Sequence, residues 1–237
     1  MSMNAEQIRA GYGGGIDIIH DISLQAKPHQ FTAIIGPNGS GKSTILKAMY
    51  GVITPRAGRV TYNGAEITGL KPHEMLAVGI SYVPQERSIF PFLTVHDNLK
   101  AGAWLIRKEK SHVHEAINRV YEIFPRLAER RRVKAGNLSG GEQKMLEFGR
   151  AMLLNPQTIL VDEPTAGLAP KVAHEVYLTI KSLKERKLTI LLVDQNVRQA
   201  ISLSDYMYVI EMGRIKEEGS SDNYRAEMSK LVKSWMT

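Results

Sequence analysis

The sequence predicts an α/β protein whose core is a mainly parallel sheet. Short runs rich in Ile and Val, bounded by turn residues, suit strands that are buried on both faces. Helix-length stretches at 171–185 and 196–202 separate the later runs, and this strand, helix, strand order predicts a parallel sheet covered by helices. The five runs are 31–35, 79–83, 158–161, 189–193 and 206–210.

Two further regions depart from this alternation. Residues 94–132 contain no strand-like run, and two breaks divide them into helical pieces, which predicts a helical insert in the α/β core. The segments 18–25 and 58–67, the second with a turn signal at Asn63-Gly64, predict antiparallel strands added at one edge of the sheet. The helical pieces are 95–107, 113–123 and 126–132.

Length, charge and cysteine content limit the possible classes of protein. The chain has 237 residues, enough for its own core, and the absence of cysteine excludes disulfides, thiolate nucleophiles and Cys-ligated zinc. No apolar run approaches the roughly 20 residues of a membrane-spanning helix, and the first ten residues lack the apolar core of a secretory signal, so we expect a cytosolic protein. The formal net charge of +7 suits an anionic ligand or surface, but it also suits a soluble protein without one.

A phosphate-binding loop follows the first predicted buried strand. The segment 36–43 matches the pattern G-x-x-x-x-G-K-[ST] and opens a helical stretch at 44–49. Glycines allow the backbone to point several N–H groups at one phosphate, and the helix adds the positive end of its dipole. We expect Lys42 to bridge the β- and γ-phosphates and Ser43 to be a ligand of Mg²⁺. The residues assigned to nucleotide binding here are Gly36, Pro37, Asn38, Gly39, Ser40, Gly41, Lys42, Ser43 and Thr44.

Two acids, Asp162 and Glu163, come directly after the apolar run at 158–161. An acid that ends a buried strand beside a phosphate loop can hold the water shell of Mg²⁺, and the next acid can polarise an attacking water. We assign Asp162 to the metal and Glu163 as the general base of hydrolysis. The alternative is a pair of surface acids that begin a loop, and the run Thr-Ile-Leu-Val before them argues against it.

The segment Leu-Ser-Gly-Gly-Glu at 138–142 adds a second anion site. A serine and two glycine N–H groups would open a helix predicted at 142–153. Together with the phosphate loop and the two acids, this segment resembles the signature motif of ATP-binding cassette (ABC) ATPases. The resemblance implies a RecA-like P-loop core and a head-to-tail dimer, in which each signature caps the γ-phosphate of ATP held by the other subunit. The signature residues are Leu138, Ser139, Gly140, Gly141 and Glu142.

The resemblance assigns further residues, position by position. Tyr12 matches the aromatic residue that stacks on adenine, the alternative being surface packing. Gln85 matches the glutamine that reaches Mg²⁺ and the attacking water and links them to the helical insert. Gln195 occupies the place of a histidine that contacts the γ-phosphate in most members, and Ala169 the place of an aspartate that crosses the dimer. A glutamine can donate a hydrogen bond but cannot become a cation. The catalytic set is therefore Glu163, Lys42, Gln85 and Gln195, and the metal set is Ser43, Gln85 and Asp162.

The resemblance also divides the chain. It implies one ABC ATPase domain over 1–237, with a discontinuous nucleotide-binding core at 1–86 and 152–219 and a helical subdomain at 87–151 that carries the signature. Apolar residues at three- and four-residue steps predict a C-terminal helix at 220–237. Those apolar residues are Met228, Leu231, Val232 and Trp235.

Two surface features have alternative interpretations. The basic cluster at 126–134 either is a solvated helix end or contacts anionic lipid. Phe90, Phe92 and Leu93 lie where the resembled family forms the groove that receives a helix of the membrane subunit, although such apolar side chains also suit the core. The basic residues are Arg126, Arg130, Arg131, Arg132 and Lys134.

Gly-Leu-Ala-Pro at 167–170 and the glutamine at 195 are similar to the ATPase subunits of importers for branched-chain or other hydrophobic amino acids. This resemblance implies that the chain binds and hydrolyses MgATP. It implies transmembrane permease subunits and a second ABC ATPase subunit, either a copy or a sister chain, and indirectly an extracytoplasmic solute-binding protein. We expect the protein at the cytoplasmic face of the inner membrane, as a peripheral subunit, with no nucleic acid partner.

Other functions remain compatible with the motifs. The same ATPase could serve a urea or amide importer or a lipid or lipopolysaccharide exporter. A nucleic-acid-associated ABC ATPase would carry a long coiled-coil insert or two cassettes, and a small-molecule kinase would need a second substrate motif, none of which the sequence shows.

Overall fold

A computed structural model describes residues 1–225. The strands form two sheets, one mostly parallel and one antiparallel, and the helices pack on and between them. Within the described residues the ten strands are β1 (Met3–Ala10), β2 (Ile19–Ala26), β3 (Phe31–Ile35), β4 (Ala57–Tyr62), β5 (Ala65–Glu66), β6 (Ile80–Val83), β7 (Thr158–Asp162), β8 (Thr189–Val193), β9 (Tyr206–Glu211) and β10 (Arg214–Ser220). Between residues 1 and 220 the α-helices are α1 (Lys42–Met49), α2 (Pro72–Ala77), α3 (Val95–Gly102), α4 (Lys110–Ile123), α5 (Pro125–Glu129), α6 (Gly140–Met152), α7 (Pro170–Lys184) and α8 (Val197–Leu203).

The six-stranded sheet has the order β10-β9-β3-β8-β7-β6, and all pairs except β10 with β9 are parallel. Every residue of β3, β7 and β8 is buried, as expected for strands covered on both faces. The five runs predicted as strands all form this sheet, which confirms the α/β prediction. Because neighbouring parallel strands end at one edge, the loops after β3, β6, β7 and β8 come together there.

The four-stranded sheet has the order β2-β1-β4-β5 and is antiparallel. The prediction that strands near 18–25 and 58–67 extend one edge of the parallel sheet is therefore wrong. They pair with each other through β1, and α1 packs between the two sheets with Ile45 and Leu46 fully buried. The antiparallel strand at the edge of the main sheet is instead β10, which pairs with β9.

Strands β1 and β10 lack the regular hydrophobic pattern that would identify them as strands in the sequence. In β1 the register shifts between Ala5 and Ile8, where Gln7 has φ of +48°, so a bulge interrupts the period-two alternation. Strand β10 has mostly exposed charged side chains, which is typical of an edge strand protected against further pairing.

Helices α3, α4 and α5 lie in the segment 94–132 that was predicted to be helical, and α6 packs against them. Leu127 and Val120 pack over Gly149 of α6, where an added Cβ would lie 3.1 Å from Leu127 Cδ1 and 3.0 Å from Val120 Cγ1. The helix predicted at 95–107 ends earlier, at Gly102, and a short 3₁₀ turn at Trp104–Ile106 follows it. The division of the chain into a nucleotide-binding core and a helical subdomain stays a prediction.

Residues 221–225 are helical, whereas Ser220 ends β10. The rest of the helix predicted at 220–237, including its apolar residues Met228, Leu231, Val232 and Trp235, lies outside the described residues. Within residues 1–225, no helix has the length and apolar character needed to cross a membrane.

Candidate nucleotide site

The phosphate loop connects β3 to α1 at the crowded centre of the sheet. A Cβ at Gly36 would lie 2.2 Å from the carbonyl oxygen of Ile210, so only glycine fits this close approach. Gly41, the N-cap of α1, has φ of +99°, a conformation that side chains disfavour. The first turn of α1 leaves N–H groups without intrahelical partners and contains no acid. The loop therefore fits an anionic phosphate.

Lys42 lies buried across the mouth of this loop. Its Nζ donates to the carbonyl oxygens of Gly36, at 3.0 Å, and Pro37, at 2.9 Å, and lies 3.8 Å from Glu163 Oε1. Burial lowers the pKa of Lys42, and the carboxylates of Glu163, Asp162 and Asp194 oppose this shift. The ammonium group is thus held between the loop and the predicted general base.

Asp162 ends β7 with no exposed surface. Ser43 Oγ donates to Asp162 Oδ1 at 2.7 Å, and the Tyr82 hydroxyl donates to Oδ2 at 2.9 Å. A hydroxyl and a carboxylate in contact are the hard oxygen ligands that Mg²⁺ takes, usually with several waters. The predicted metal residues Ser43 and Asp162 therefore come together in a pair that fits the ion.

Glu163 is held by two amides. Its Oε2 accepts from Gln85 Nε2 at 2.9 Å and from Gln195 Nε2 at 2.8 Å. Its backbone has φ of +38°, and its N–H donates to the carbonyl of Val193 at 2.9 Å. The structure thus brings Lys42, Gln85 and Gln195, which come from three separate segments of the sequence, around the carboxylate of Glu163.

Behind Gln195, sequence reasoning missed a buried hydrogen-bond chain. The Tyr177 hydroxyl of α7 donates to Asp194 Oδ2 at 2.8 Å and lies 2.9 Å from Thr165 Oγ1, while the Asn196 N–H donates to Asp194 Oδ1 at 2.8 Å. Burial, with the negative charge of Glu163, raises the pKa of Asp194 to about 6, against the hydrogen bonds it accepts. A cleft of about 550 Å³ opens beside this chain, between the loops at 165–167 and 194–198.

The signature segment begins α6 as a self-capped helix. Ser139, the N-cap, accepts the Glu142 N–H at 3.2 Å, and Glu142 Oε2 accepts the Ser139 N–H at 3.0 Å. A Cβ at Gly140 would lie 3.3 Å from Leu168 Cδ2, and one at Gly141 would lie 3.1 Å from Glu175 Oε2, so the glycines also allow close packing of α7 and of the loop before it. Among the hydrogen bonds of residues 1–225, none joins the signature to the phosphate loop.

The remaining predicted residues lie at the surface. Tyr12 is 53% exposed, and its hydroxyl accepts from Lys47 Nζ of α1 at 3.3 Å. Its stacking on adenine stays a prediction. Phe90, Phe92 and Leu93 are exposed, so they do not belong to the core, and Phe92 is the most exposed of them. Ala169 is the N-cap of α7 and offers no side-chain cap, in agreement with the missing carboxylate there.

Known proteins place this arrangement in a family. The family model described as ABC transporter matches residues 19–166, more than half of the chain. The chain belongs to the ABC transporter family. A probable branched-chain amino acid transport ATP-binding protein of Archaeoglobus fulgidus is 42% identical over 91% of this chain and 91% of its own length. The lipopolysaccharide export system ATP-binding protein of Escherichia coli is 32% identical over 92% of this chain and 90% of its own.

Solved structures agree. A crystal structure described as the ADP conformation of an ATP-binding cassette of an ABC transporter has a TM-score of 0.87 and 31% identity, covering 100% of this chain and 99% of its own. The recognised family and the predicted fold class are thus confirmed, and the chain is an ABC ATPase.

The sequence analysis did not assign Asp194 and Tyr82 to the site, although the sequence contains a pattern that indicates each of them. Asp194 ends an apolar run as Asp162 does, so the rule applied to β7 would have found it after β8. Tyr82 precedes Gln85 in a strand that pairs with β7 in parallel register, Tyr82 opposite Leu160. Tyr177, by contrast, lies within an amphipathic helix, and no local pattern distinguishes it from a core aromatic residue.

Proposed function

We propose that this chain is the ATPase subunit of a membrane importer for branched-chain or other hydrophobic amino acids. The contact of Lys42, Gln85 and Gln195 with Glu163 carries the proposal of ATP hydrolysis, because it places a carboxylate, two amides and a cation around one attack position. The higher identity to the amino acid transport protein than to the export protein carries the proposed cargo class.

The phosphate loop and Lys42 would bind the triphosphate, and Tyr12 would stack on adenine. Ser43, Asp162 and Gln85 would hold Mg²⁺, which would neutralise part of the negative charge of the triphosphate. Burial favours these charge interactions, since the surrounding strands exclude water from Asp162 and Lys42.

Hydrolysis would follow from the position of Glu163. The Glu163 carboxylate accepts a proton from water as the water oxygen bonds to the γ-phosphorus, and the bond from that phosphorus to the bridging oxygen breaks to release ADP. Gln85 and Gln195 orient the carboxylate through their N–H groups, and Lys42 stabilises the negative charge on the transferred group. A positioned general base contributes roughly 10²- to 10⁴-fold to such reactions.

The signature residues Ser139, Gly140 and Gly141 would act on ATP held by a second ABC ATPase subunit, a copy or a sister chain. The exposed side chains of Phe90, Phe92 and Leu93 would receive a helix of the permease subunits. A solute-binding protein outside the membrane would then define the cargo, and this chain would lie at the cytoplasmic face.

The test is the Glu163→Gln variant, trapped with MgATP in its native membranes and purified with whatever it binds. The amide keeps the shape of Glu163 but cannot accept the proton, so ATP should bind and persist. Recovery of permease subunits, a second ABC ATPase and an amino-acid-binding protein would support the proposal. Lys42→Ala, which should not retain ATP, is the matched control for nucleotide-dependent recovery.

Lipopolysaccharide or lipid export is the second candidate, favoured by the relative in Escherichia coli. Recovery of permease subunits with bound lipid and without a solute-binding protein would replace import by export. Recovery of nucleic acid without membrane proteins would overturn transport altogether.

A further inference from the structure

Helices α5 and α6 meet where α6 has no side chain at Gly149. Leu127 of α5 packs 3.1 Å from the position that a Cβ of Gly149 would occupy, and Leu127 itself is fully buried. Glu142 lies seven residues before Gly149, two turns along the same face of α6, and the exposed side of α5 contacts it. Arg126 on α5 and Arg130 at its C-cap therefore lie next to the signature.

Both arginines contact one oxygen of the signature carboxylate. Arg126 Nε lies 2.9 Å and Arg130 Nε 3.5 Å from Glu142 Oε1, while Oε2 accepts the Ser139 N–H. Arg126 also pairs with Glu129 at 2.7 Å. The Glu142 side chain is 15% exposed, so this contact is more enclosed than the Arg126–Glu129 pair beside it.

A charged Glu142 poses an electrostatic problem for an anion site. Burial would raise the pKa of Glu142, but the Ser139 N–H and Arg126 together lower it, so the side chain is an anion near neutral pH. The carboxylate folds back onto the same helix start that would receive a phosphate. An uncompensated negative charge there would oppose a triphosphate, because the dipole of one helix end is worth only about half an elementary charge.

We propose that Arg126 and Arg130 are positioning residues of the signature. They neutralise Glu142 and hold it against Ser139, so that the start of α6 can accept the γ-phosphate of ATP bound by the other ATPase subunit. This inference rests on the proposed function, because it requires the signature to act across a dimer. It extends that function by assigning a role to arginines that lie outside the motif.

An ordinary surface role makes a different prediction. Exposed ion pairs contribute little to folding, typically well under a tenfold change in the folding equilibrium. If the arginines only stabilised α5, their loss would have the same effect whether position 142 were charged or neutral. The charge at position 142 therefore discriminates between the two roles.

The experiment measures ATP hydrolysis by the complete complex, purified from its native membranes with this chain in four forms. These are the unchanged chain, Arg126→Ala with Arg130→Ala, Glu142→Gln, and all three substitutions together. Removing the arginines should lower kcat by at least twofold, and by about tenfold if both signatures of the dimer come from this chain. In the Glu142→Gln background, removing the arginines should lower the logarithm of kcat by less than half as much.

Three controls accompany this cycle. Arg126→Lys with Arg130→Lys keeps both charges and should retain most of the lost activity. Glu129→Gln breaks the neighbouring pair only and should leave hydrolysis unchanged. Binding of a fluorescent ATP analogue to the isolated chain should be the same in all variants, because the phosphate loop is intact.

An equal loss of kcat in both backgrounds, or no loss in either, would overturn the positioning role. Failure of the proposed function would give a different result. In that case the unchanged complex does not hydrolyse ATP, or Glu163→Gln does not slow it.

Discussion

Helices α1 and α6 both begin at a glycine-rich turn, but they treat their free N–H groups in opposite ways. Helix α1 has a glycine N-cap, no acid in its first turn and no side-chain cap. Helix α6 has a serine N-cap and Glu142 in a reciprocal capping box. The first helix therefore leaves its donors for a ligand, whereas the second satisfies some of them itself.

The side chains around the two helix starts also differ. Lys42 and Ser43 at the start of α1 contact Glu163 and Asp162, so one chain assembles the whole charged site around the phosphate loop. The Glu142 carboxylate at the start of α6 instead pairs with Arg126 of α5 and with Arg130 at the C-cap of α5, and it accepts the N–H of its own N-cap. We therefore expect that a self-capped helix start serves a phosphate only where its carboxylate is neutralised and a second chain supplies the ligand.

The largest expected effect is on the α1 side of this comparison. Lys42→Ala removes a buried cation that faces the loop and Glu163, and we expect ATP affinity of the isolated chain to fall by about a hundredfold. Titration with a fluorescent ATP analogue measures it. Lys216→Ala, which breaks an exposed pair with Glu211, is the control and should bind normally. Unchanged affinity in Lys42→Ala would contradict the assignment of the loop.

The buried Asp194 gives the site a pH-dependent stability. Its pKa is raised to about 6, so the folded state binds this proton more tightly than the unfolded state, and the free energy of unfolding falls as pH rises from about 4 to about 6. Asp194→Asn should remove this fall and be more stable at pH 7.5 by on the order of 2 kcal/mol. Denaturant unfolding at pH 4 and pH 7.5 tests it, and a constant difference between the two proteins would exclude the charge as the cause.

Gln195 provides a smaller test of the α1 side. Gln195→Ala removes one of the two amide donors to Glu163, and we expect kcat to fall by about tenfold because a hydrogen bond to a charged group is lost. The KM for ATP should change little, since the loop and Lys42 are untouched. Steady-state ATPase assays on the complete complex separate the two constants. Asn63→Ala, at an exposed hairpin turn, is the control, and a rise in KM alone would assign Gln195 to binding instead.

The smallest expected effect concerns the N-cap of α6. Ser139→Ala removes an N-cap hydrogen bond, which should cost about 1 kcal/mol of stability. Thr94→Ala removes the equivalent N-cap of α3, where Thr94 accepts the Asp97 N–H at 3.0 Å, and should cost a similar amount. Only Ser139→Ala should also slow hydrolysis by the complex. Equal hydrolysis by the two variants would leave Ser139 as a helix cap and nothing more.

The site residues that the sequence predicted lie in contiguous motifs, whereas the missed features depend on partners that are distant in the sequence. The phosphate loop, the acids at the end of β7 and the signature are each one short segment, because a single turn, strand end or helix start places their groups together. Strand β1 was missed because a bulge at Gln7 shifts its alternation. The antiparallel strands were recognised, but their sheet was not, because pairing partners depend on packing against α1 rather than on local pattern.

The sequence by itself determined the nucleotide-binding chemistry and the family, since glycines, Lys42 and the two acids at strand ends are dictated by short-range geometry. Only the tertiary structure decided which groups meet. Parallel strand register brings Tyr82 to Asp162, and the loops after β6 and β8 bring Gln85 and Gln195 to one oxygen of Glu163. Packing of α5 on Gly149 likewise places Arg126 and Arg130 at Glu142, 12 to 16 residues away. Such contacts depend on the folded positions of whole elements, which no local pattern records.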